Sequence, residues 1–594
     1  MIMDTDSGSS DDSVLSADGL DLNNYTVAFD FLQDILADDD FQSYDLEITR
    51  AHWYGVVVFI AIVGVFNYSR RYALYQRRKD AAHLRSASKA ACAVARPTNF
   101  FSRIIAGFVA AGRELSYTQL PPFKQVWFPA TGTIILLITY LCFTMGLEYF
   151  NVFIDGAQKL QSRGIRAGWI AIAQFPLVVL LAGRQNLIGY ATGLSYDRLR
   201  ILHRWVARIM FLFACMHWGY QSVQWNEYGL VSMEWTTDAC PPTGVAAWAL
   251  LFWMNVSTLA PFRNMAYEIF IIQHVIVFFG FIVAVVIHLP VIYSRVYVYL
   301  PIGLWLFDRV ARVAVTILQN RTLATAHITV LPGDEVVELN ITAPTFKTYS
   351  AGQHVYLNFP RLRFWQSHPF TVVKSSPGEL TLFVQVRKGF TKQLLKYDGK
   401  KFTAILDGPY GGTQSDISGF DSAVLISGGT GITFALSQLS DLAARVSRGE
   451  VNALRRISII WSVKNKEWTK PVQDAITSSM FTLQSSDIDV TFDLYVTQGA
   501  TAIESVSSDA DSLAPENKHL SSRMSTHVGR IAQATDFIVP TICNAHGETG
   551  VFVCGPVEME SDVRNSVASV SDALGVHKGG KAHGIYLHCE SFRW

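Results

Sequence analysis

Four histidines pose the first chemical question. In "LHRWVARIMFLFACMHW" (202–218), His203 and His217 stand fourteen residues apart in a run built mostly of large apolar side chains, and "HVIVFFGFIVAVVIH" repeats the interval with His274 and His288. At about 1.5 Å rise and 3.6 residues per turn, fourteen residues cover about 21 Å and nearly four turns, so both imidazoles of a helix face nearly the same way. A lone histidine on an apolar helix is more often a hydrogen-bonded structural residue than a ligand, but two matched pairs argue against coincidence, and ionisable groups inside membrane spans are functional by default. One further crossing separates the two runs, so they point the same way. His203 then lies level with His274 on the inner side and His217 with His288 on the outer. Zinc would want more N, S or O ligands at each level, and none is evident. A haem iron needs two axial ligands, and with histidine in both positions it can carry electrons but has no open site for bond chemistry. The expected metal ligands are therefore His203, His217, His274 and His288, holding two haem b groups. Arg198, Arg204 and Arg208 lie near His203, where haem propionates and the charge bias of cytoplasmic loops explain them equally well. Phe281, midway between His274 and His288, is expected to pack in the core.

A second set of motifs follows in the C-terminal half. "HPFT" (His368, Pro369, Phe370, Thr371) ends a strand-like segment, and "RKGFTKQL", with Lys388, Gly389 and Thr391, precedes a short helical stretch. Small residues, hydroxyls and backbone amides at a helix start suit a pyrophosphate. "LISGGTGIT" follows an apolar strand and precedes a helix, so Gly428, Gly429, Thr430, Gly431, Ile432 and Thr433 form a turn whose backbone can approach phosphates closely, or simply a tight strand-to-helix turn. Cys554, Gly555 and Pro556 of "FVCGP" end a further strand at the same predicted sheet edge. In the terminal "HCESFRW", Phe592 and Trp594 beside Glu590 can stack on a flavin ring or form a frayed tail; spacing alone does not decide.

The elements that must carry these groups are readable from composition. Half of the 594 residues are hydrophobic and 16% are charged, so part of the chain belongs in a bilayer. Seven apolar runs of membrane length lie at about 52–68, 127–147, 167–183, 201–222, 244–261, 266–290 and 296–317. Arg70, Arg71, Arg77, Arg78, Lys79 and Arg85 follow the first run, whereas Gly219 to Gly244 has no Lys or Arg. The positive-inside bias therefore puts the aspartate-rich segment 1–51 outside and everything after about 318 in the cytoplasm. That acidic start excludes a basic nucleic-acid arm. No secretory signal peptide is expected, the first run acting as an uncleaved anchor. Asn24 in "NYT" is a glycosylation acceptor or an unused sequon. Glu227, Glu234 and Asp238 on an outer loop are expected to be solvated. The seven scattered cysteines form no CxxC pair and indicate neither zinc, iron–sulfur nor disulfide frameworks. From 318 to 415, alternating segments predict an antiparallel β-barrel. From 416 to 594, apolar strands separated by helical stretches predict an α/β lobe with a parallel sheet, interrupted by a mobile insertion at about 498–535.

With the paired HX13H helices and these motifs in this order, the sequence resembles the fungal ferric reductase family, relatives of the NADPH oxidases. The likeness covers roughly residues 125–594, and includes "TGLSYDRLRILHRW", "YEIFIIQH", "HPFT", "GGTGIT", "CGP" and "ESFRW". The resemblance implies a haem-binding α-helical transmembrane bundle (52–317), an FAD-binding barrel and an NADPH-binding lobe. It implies that the "HPFT" segment and the "KGFT" turn bind FAD. The Gly-rich turn and the "CGP" strand end bind NADPH, and the C-terminal aromatic covers the flavin. Lys464 occupies the place of an arginine that meets the 2′-phosphate in oxidase relatives, a geometrically weaker match that still favours NADPH. The implied activity is a plasma-membrane ferric-chelate reductase passing electrons from cytosolic NADPH through FAD and both haems to external Fe(III), with Cu(II) as a further acceptor. The alternatives are a superoxide-generating NADPH oxidase and a non-catalytic membrane protein that retains the scaffold.

Overall fold

The computed structural model describes residues 19–21, 23–24, 26–27, 38–87, 99–123, 127–152, 159–227, 229–265, 267–289, 292–333, 335–346, 349–412, 415–464, 466–497, 523–531, 535–543, 548–571 and 584–590. The first nine helices used below are α1 (Asp38–Ala87), α2 (Phe100–Tyr117), α3 (Thr131–Tyr149), α4 (Lys159–Ala182), α5 (Tyr196–Glu227), α6 (Val231–Thr237), α7 (Cys240–Ser257), α8 (Tyr267–His288) and α9 (Val296–Gln319). Each apolar run read from the sequence overlaps one of them, four of the runs extending one to four residues past a helix end. Tyr44–Ala81, Thr131–Tyr149, Leu160–Ala182 and Tyr267–His288 are long and apolar enough by composition alone to cross a membrane. The chain divides into two compact units, Met1–Gly64 with Leu137–Val310, and Val65–Leu136 with Ala311–Trp594.

In the first unit α4 packs along α5 and α7 along α8. Trp169, Phe175, Leu199, Val206, Phe281 and Val298 are buried in one apolar cluster, and the Phe281 ring meets Phe175 edge-on at 5.3 Å. Phe281 thus packs in the core, as read from the sequence. A few polar ties fix the helices. Buried Arg166 on α4 pairs with buried Asp45 on α1 and donates to the carbonyls of Leu147 and Phe150 at 3.0 and 3.1 Å. The Thr49 and Tyr297 hydroxyls share a hydrogen bond of 2.7 Å. Buried ions persist only with such partners, and removing one partner strands the other.

The second unit contains both sheets. Strands β1 (Ala324–Val330), β2 (Val336–Thr342), β3 (Gln353–Asn358), β4 (His368–Ser376), β5 (Glu379–Gln385) and β6 (Lys401–Gly411) close an antiparallel barrel in the order β1-β2-β5-β4-β3-β6. Its alternating segments bury one face, with Ala326, Ile328, Leu339 and Leu382 fully inside. Strands β7 (Ser422–Gly428), β8 (Arg456–Val463), β9 (Asp489–Val496), β10 (Met524–Val528), β11 (Thr549–Cys554) and β12 (Ile585–Glu590) form a parallel sheet in the order β10-β9-β8-β7-β11-β12. The continuous apolar runs of β7, β11 and β12 reflect helices on both faces. Those helices include α11 (Ile432–Ser447), α12 (Lys470–Gln484), α13 (Thr535–Cys543) and α14 (Val557–Val570); α10 (Phe390–Leu394) belongs to the barrel.

Three expectations change. The first helix begins at Asp38 and runs to Ala87, well past the expected 52–68. Its second half has its own packing: Leu74 is buried with the nucleotide-lobe core, Arg77 pairs with Asp421 and Glu548 at 3.0 and 3.1 Å, and Arg78 with Asp416 at 2.9 Å. Residues 65–136 therefore group with the second unit, so 52–317 is not one body. Within the expected mobile insertion 498–535, Met524–Val528 is the strand β10, paired with β9; the sequence hid it because an edge strand needs little apolar content. The rest of that insertion to 522 lies outside the described residues. Glu234, expected to be solvated, is buried on α6. Burial and the nearby Asp238 charge raise its carboxyl to about 7.

Candidate functional site

Three of the four helix histidines are held from behind. The Nδ1 of His203 lies 2.8 Å from the Val178 carbonyl oxygen, that of His217 2.7 Å from Gly164 O, and that of His288 2.9 Å from Cys240 O. A carbonyl oxygen only accepts, so each Nδ1 carries the proton and donates. The lone pair is then left on Nε2, the tautomer a metal-ligating imidazole needs. The His217 and His288 rings lie edge to face, with centroids 6.0 Å apart and planes at 73°. His274 sits against Phe270 at 5.4 Å. Its Nδ1 is buried without a hydrogen-bond partner among the described residues.

Glycines bring the helices close enough. A Cβ on Gly168 of α4 would stand 2.9 Å from His217 Nδ1, and one on Gly244 of α7 would stand 2.7 Å from His288 Cε1. Both ligand candidates are thus wedged by backbone where a methyl has no room. Among the described residues no group of three or more His, Cys, Asp or Glu is arranged to hold a metal. The chemistry of this donor set, two neutral imidazoles per level in an apolar bundle, fits axial ligation of a haem and does not fit zinc.

In the second unit the parallel sheet changes direction of strand addition between β7 and β11, and ligands bind at the carboxyl edge of such a switch point. The predicted Gly-rich turn and "CGP" are there together. Cys554 is in register with Ser427. A Cβ on Gly431 would lie 2.0 Å from Cys554 O, and one on Gly428 would lie 2.6 Å from Pro556 Cδ. Gly429 has a left-handed φ of 55°, its carbonyl accepts from Trp461 Nε1 at 2.9 Å, and the Thr433 hydroxyl donates to Thr430 O at 3.0 Å. Ile432 and Thr433 open α11, presenting its N-terminus at this edge. Gly555 abuts Gly428 from the other side. The Cys554 thiol is fully buried and pushed up by that burial and by Glu590, Glu560 and Cys589. It is a packing thiol rather than a nucleophile. Lys464 follows β8, exposed at the same edge.

Three family profiles match in succession: the ferric reductase like transmembrane component over residues 167–285, an FAD-binding domain over 320–414, and the ferric reductase NAD binding domain over 420–568. Over 167–568 the chain is thus similar, domain by domain and in this order, to ferric reductases. Ferric reductase transmembrane component 3 of Saccharomyces cerevisiae is 30% identical over 53% of this chain and 45% of its own length. Ferric/cupric reductase transmembrane components 2 and 7 of that yeast are 29% and 28% identical over 59% and 64% of this chain. The chain aligns with 51% and 63% of their lengths. A flavohemoglobin structure from Malassezia yamatoensis aligns with a TM-score of 0.36 at 15% identity, over 73% of this chain and 99% of that one.

The FAD-binding-domain match, 320–414, falls on the barrel. His368, Pro369, Phe370 and Thr371 open β4. His368 stacks on Phe390 at 4.8 Å and 10°, which brings the "HPFT" strand to α10. Gly389, with φ 74°, precedes that helix, and the Thr391 hydroxyl accepts from the Arg387 amide at 2.8 Å. Lys388 is exposed beside them. Glu590 ends β12 in register with Cys554. It accepts from or shares a proton with His588 Nε2 at 3.0 Å, and its Oε1 lies 3.6 Å from a Cβ built on Gly411 of the barrel. It therefore stands where barrel and nucleotide lobe meet. Phe592 and Trp594 lie outside the described residues.

Sequence reasoning missed the groups that act through backbone. Val178, Gly164 and Cys240 offer carbonyls, for which side-chain identity carries no signal. Gly168 and Gly244 are ordinary helix glycines until a histidine is seen against them. It also missed the seam between barrel and lobe, where the Gly352 amide donates to Ser437 Oγ at 2.8 Å and Tyr349 OH bonds the same hydroxyl.

Proposed function

We propose that this chain is a ferric-chelate reductase that takes two electrons from cytosolic NADPH and delivers them singly to external acceptors: NADPH + 2 Fe(III) → NADP⁺ + H⁺ + 2 Fe(II), with Cu(II) as a second acceptor. When bound, FAD supplies the two-to-one-electron conversion and two b-type haems supply electron carriage across the membrane. The chain's own residues bind and aim these groups. Gly428, Gly429, Thr430, Gly431, Ile432 and Thr433, with Cys554, Gly555 and Pro556, hold the NADPH phosphates at the switch-point edge, and Lys464 meets the 2′-phosphate. His368, Pro369, Phe370, Thr371, Lys388, Gly389 and Thr391 hold FAD. Glu590, at the junction of the two lobes, positions the nicotinamide side of the flavin, which Phe592 and Trp594 cover. His203 with His274, and His217 with His288, would each hold one haem.

The observation that carries this reading is the hydrogen bonding of the membrane histidines. Three donate Nδ1–H to backbone carbonyls, and the His217 and His288 rings lie 6.0 Å apart, edge to face. Core histidines with no ligand to hold would have no need of a free Nε2 on both sides of one gap. Liposomes reconstituted with the chain, FAD and haem, with NADPH and a membrane-impermeant ferric chelate on opposite sides, test it. Fe(II) should form at the same rate with superoxide dismutase present or oxygen removed. Reduction that vanishes without oxygen would make the protein an oxidase instead.

A further inference from the structure

Helix α2 has two faces of opposite assignment. One faces the nucleotide lobe. There Ala110 is buried, Tyr117 packs against the cluster containing Val563 and Val567 of α14, and just past the helix the Gln119 amide donates to Asn565 Oδ1 at 2.9 Å while Asn565 Nδ2 returns a bond to Gln119 O at 3.3 Å. On the other face Phe101, Ile105, Phe108 and Leu115 are 77%, 62%, 76% and 59% exposed. Steps of four, three and seven residues put these four side chains in one stripe down the helix. A capping box between Asn99 and Ser102 starts the helix cleanly, so the stripe belongs to a formed element.

The end of α2 says what covers that stripe. Thr131, the first residue of α3, donates its amide to Thr118 O at 2.9 Å. Its hydroxyl donates to the same oxygen at 2.9 Å, and a Cβ on Gly132 would lie 2.8 Å from Ser116 Cβ. The last turn of α2 therefore abuts the first turn of α3, a helix apolar and long enough to span a bilayer. The Leu115 end of the stripe is thus beside the start of a helix of membrane-spanning composition, and a contiguous apolar patch there marks a surface suited to an acyl boundary.

We propose that α2 is an interfacial helix, lying along the lipid surface with Phe101, Ile105, Phe108 and Leu115 in the acyl boundary and its opposite face holding α14 of the nucleotide-binding lobe. The helix is thereby a lateral anchor for that lobe, separate from the spans. The inference rests on membrane residence alone and is indifferent to the electron acceptor.

A photo-crosslinking benzophenone amino acid placed at Phe108, in the full chain reconstituted in phosphatidylcholine–phosphatidylglycerol nanodiscs, tests it. Position Glu114, exposed on a different side of the helix, is the control, and Phe101 is a second site should the first variant not accumulate. Mass spectrometry should find phospholipid adducts at 108 or 101 in about fivefold or greater excess over 114. Adducts to a second copy, adducts to residues 1–37 or 88–98 of the same chain, or equal lipid labelling at 114 would each overturn the proposal.

Discussion

Replacing Gly168 or Gly244 by alanine probes the proposed haem-ligand role of His217 and His288 without touching a histidine. The new methyl would stand 2.9 Å from His217 Nδ1 or 2.7 Å from His288 Cε1, short of ordinary 3.4 Å contact by 0.5 and 0.7 Å. Neither backbone has slack to retreat: α4 is clamped to α5 along its length, and the Gly164 carbonyl that orients His217 sits one turn before Gly168. The ring must move, and ligand distances at metals tolerate only about 0.2 Å. Glycine-to-alanine exchange otherwise favours a helix by about 1 kcal/mol, so a loss cannot be blamed on helix propensity. The expected result is loss of about half the bound haem, one group of two, by pyridine haemochrome assay, with flavin content unchanged. Gly280→Ala, whose Cβ would meet only Leu250 at 3.6 Å, should keep both. Full haem content and an unaltered outer-haem spectrum in both Gly168→Ala and Gly244→Ala would refute the assignment of His217 and His288.

Gly431→Ala puts a methyl 2.0 Å from Cys554 O, so the Gly-rich turn and the "CGP" strand end must separate. We expect at least about a tenfold rise in KM for NADPH in ferricyanide reduction, with haem content intact, since overpacking of this kind costs about 1–3 kcal/mol; an unchanged KM would move the nucleotide site elsewhere. Lys464→Ala should cut the preference for NADPH over NADH by roughly tenfold in kcat/KM, and Lys464→Arg should raise it. Equal ratios in all three proteins would remove Lys464 from the site. Cys554, buried with its thiol pushed up, should resist iodoacetamide at pH 8 in the native protein and react only after unfolding, as read by peptide mass mapping. Burial works to raise the Asp416 carboxyl, yet the hydrogen bonds and charge of Arg445 hold it down at about 2, against 3.8 when free. A lowered acid contributes stability above its unfolded value and loses it as pH falls through the folded one. Thermal stability of the nucleotide lobe should therefore drop between about pH 4 and 2, and Asp416→Asn should flatten that part of the profile.

The histidine spacing, the apolar runs and the order of the glycine and aromatic motifs were all readable in the chain, because each is a periodic or local property: fourteen residues is four helical turns wherever the helix lies. Tertiary structure alone decided what depends on a partner distant in sequence. Which imidazole nitrogen is free is set by carbonyls of Val178, Gly164 and Cys240, and a carbonyl leaves no mark on residue identity. That Gly431 must be glycine follows from a strand more than a hundred residues later. The second half of α1 reads as a solvated, arginine-rich loop until Asp416, Asp421 and Glu548 are seen opposite it. Local sequence fixes which elements form, since hydrogen bonding and side-chain period act within a few residues. Burial, tautomer and steric exclusion are properties of the packed chain, and packing brings together residues that sequence keeps apart.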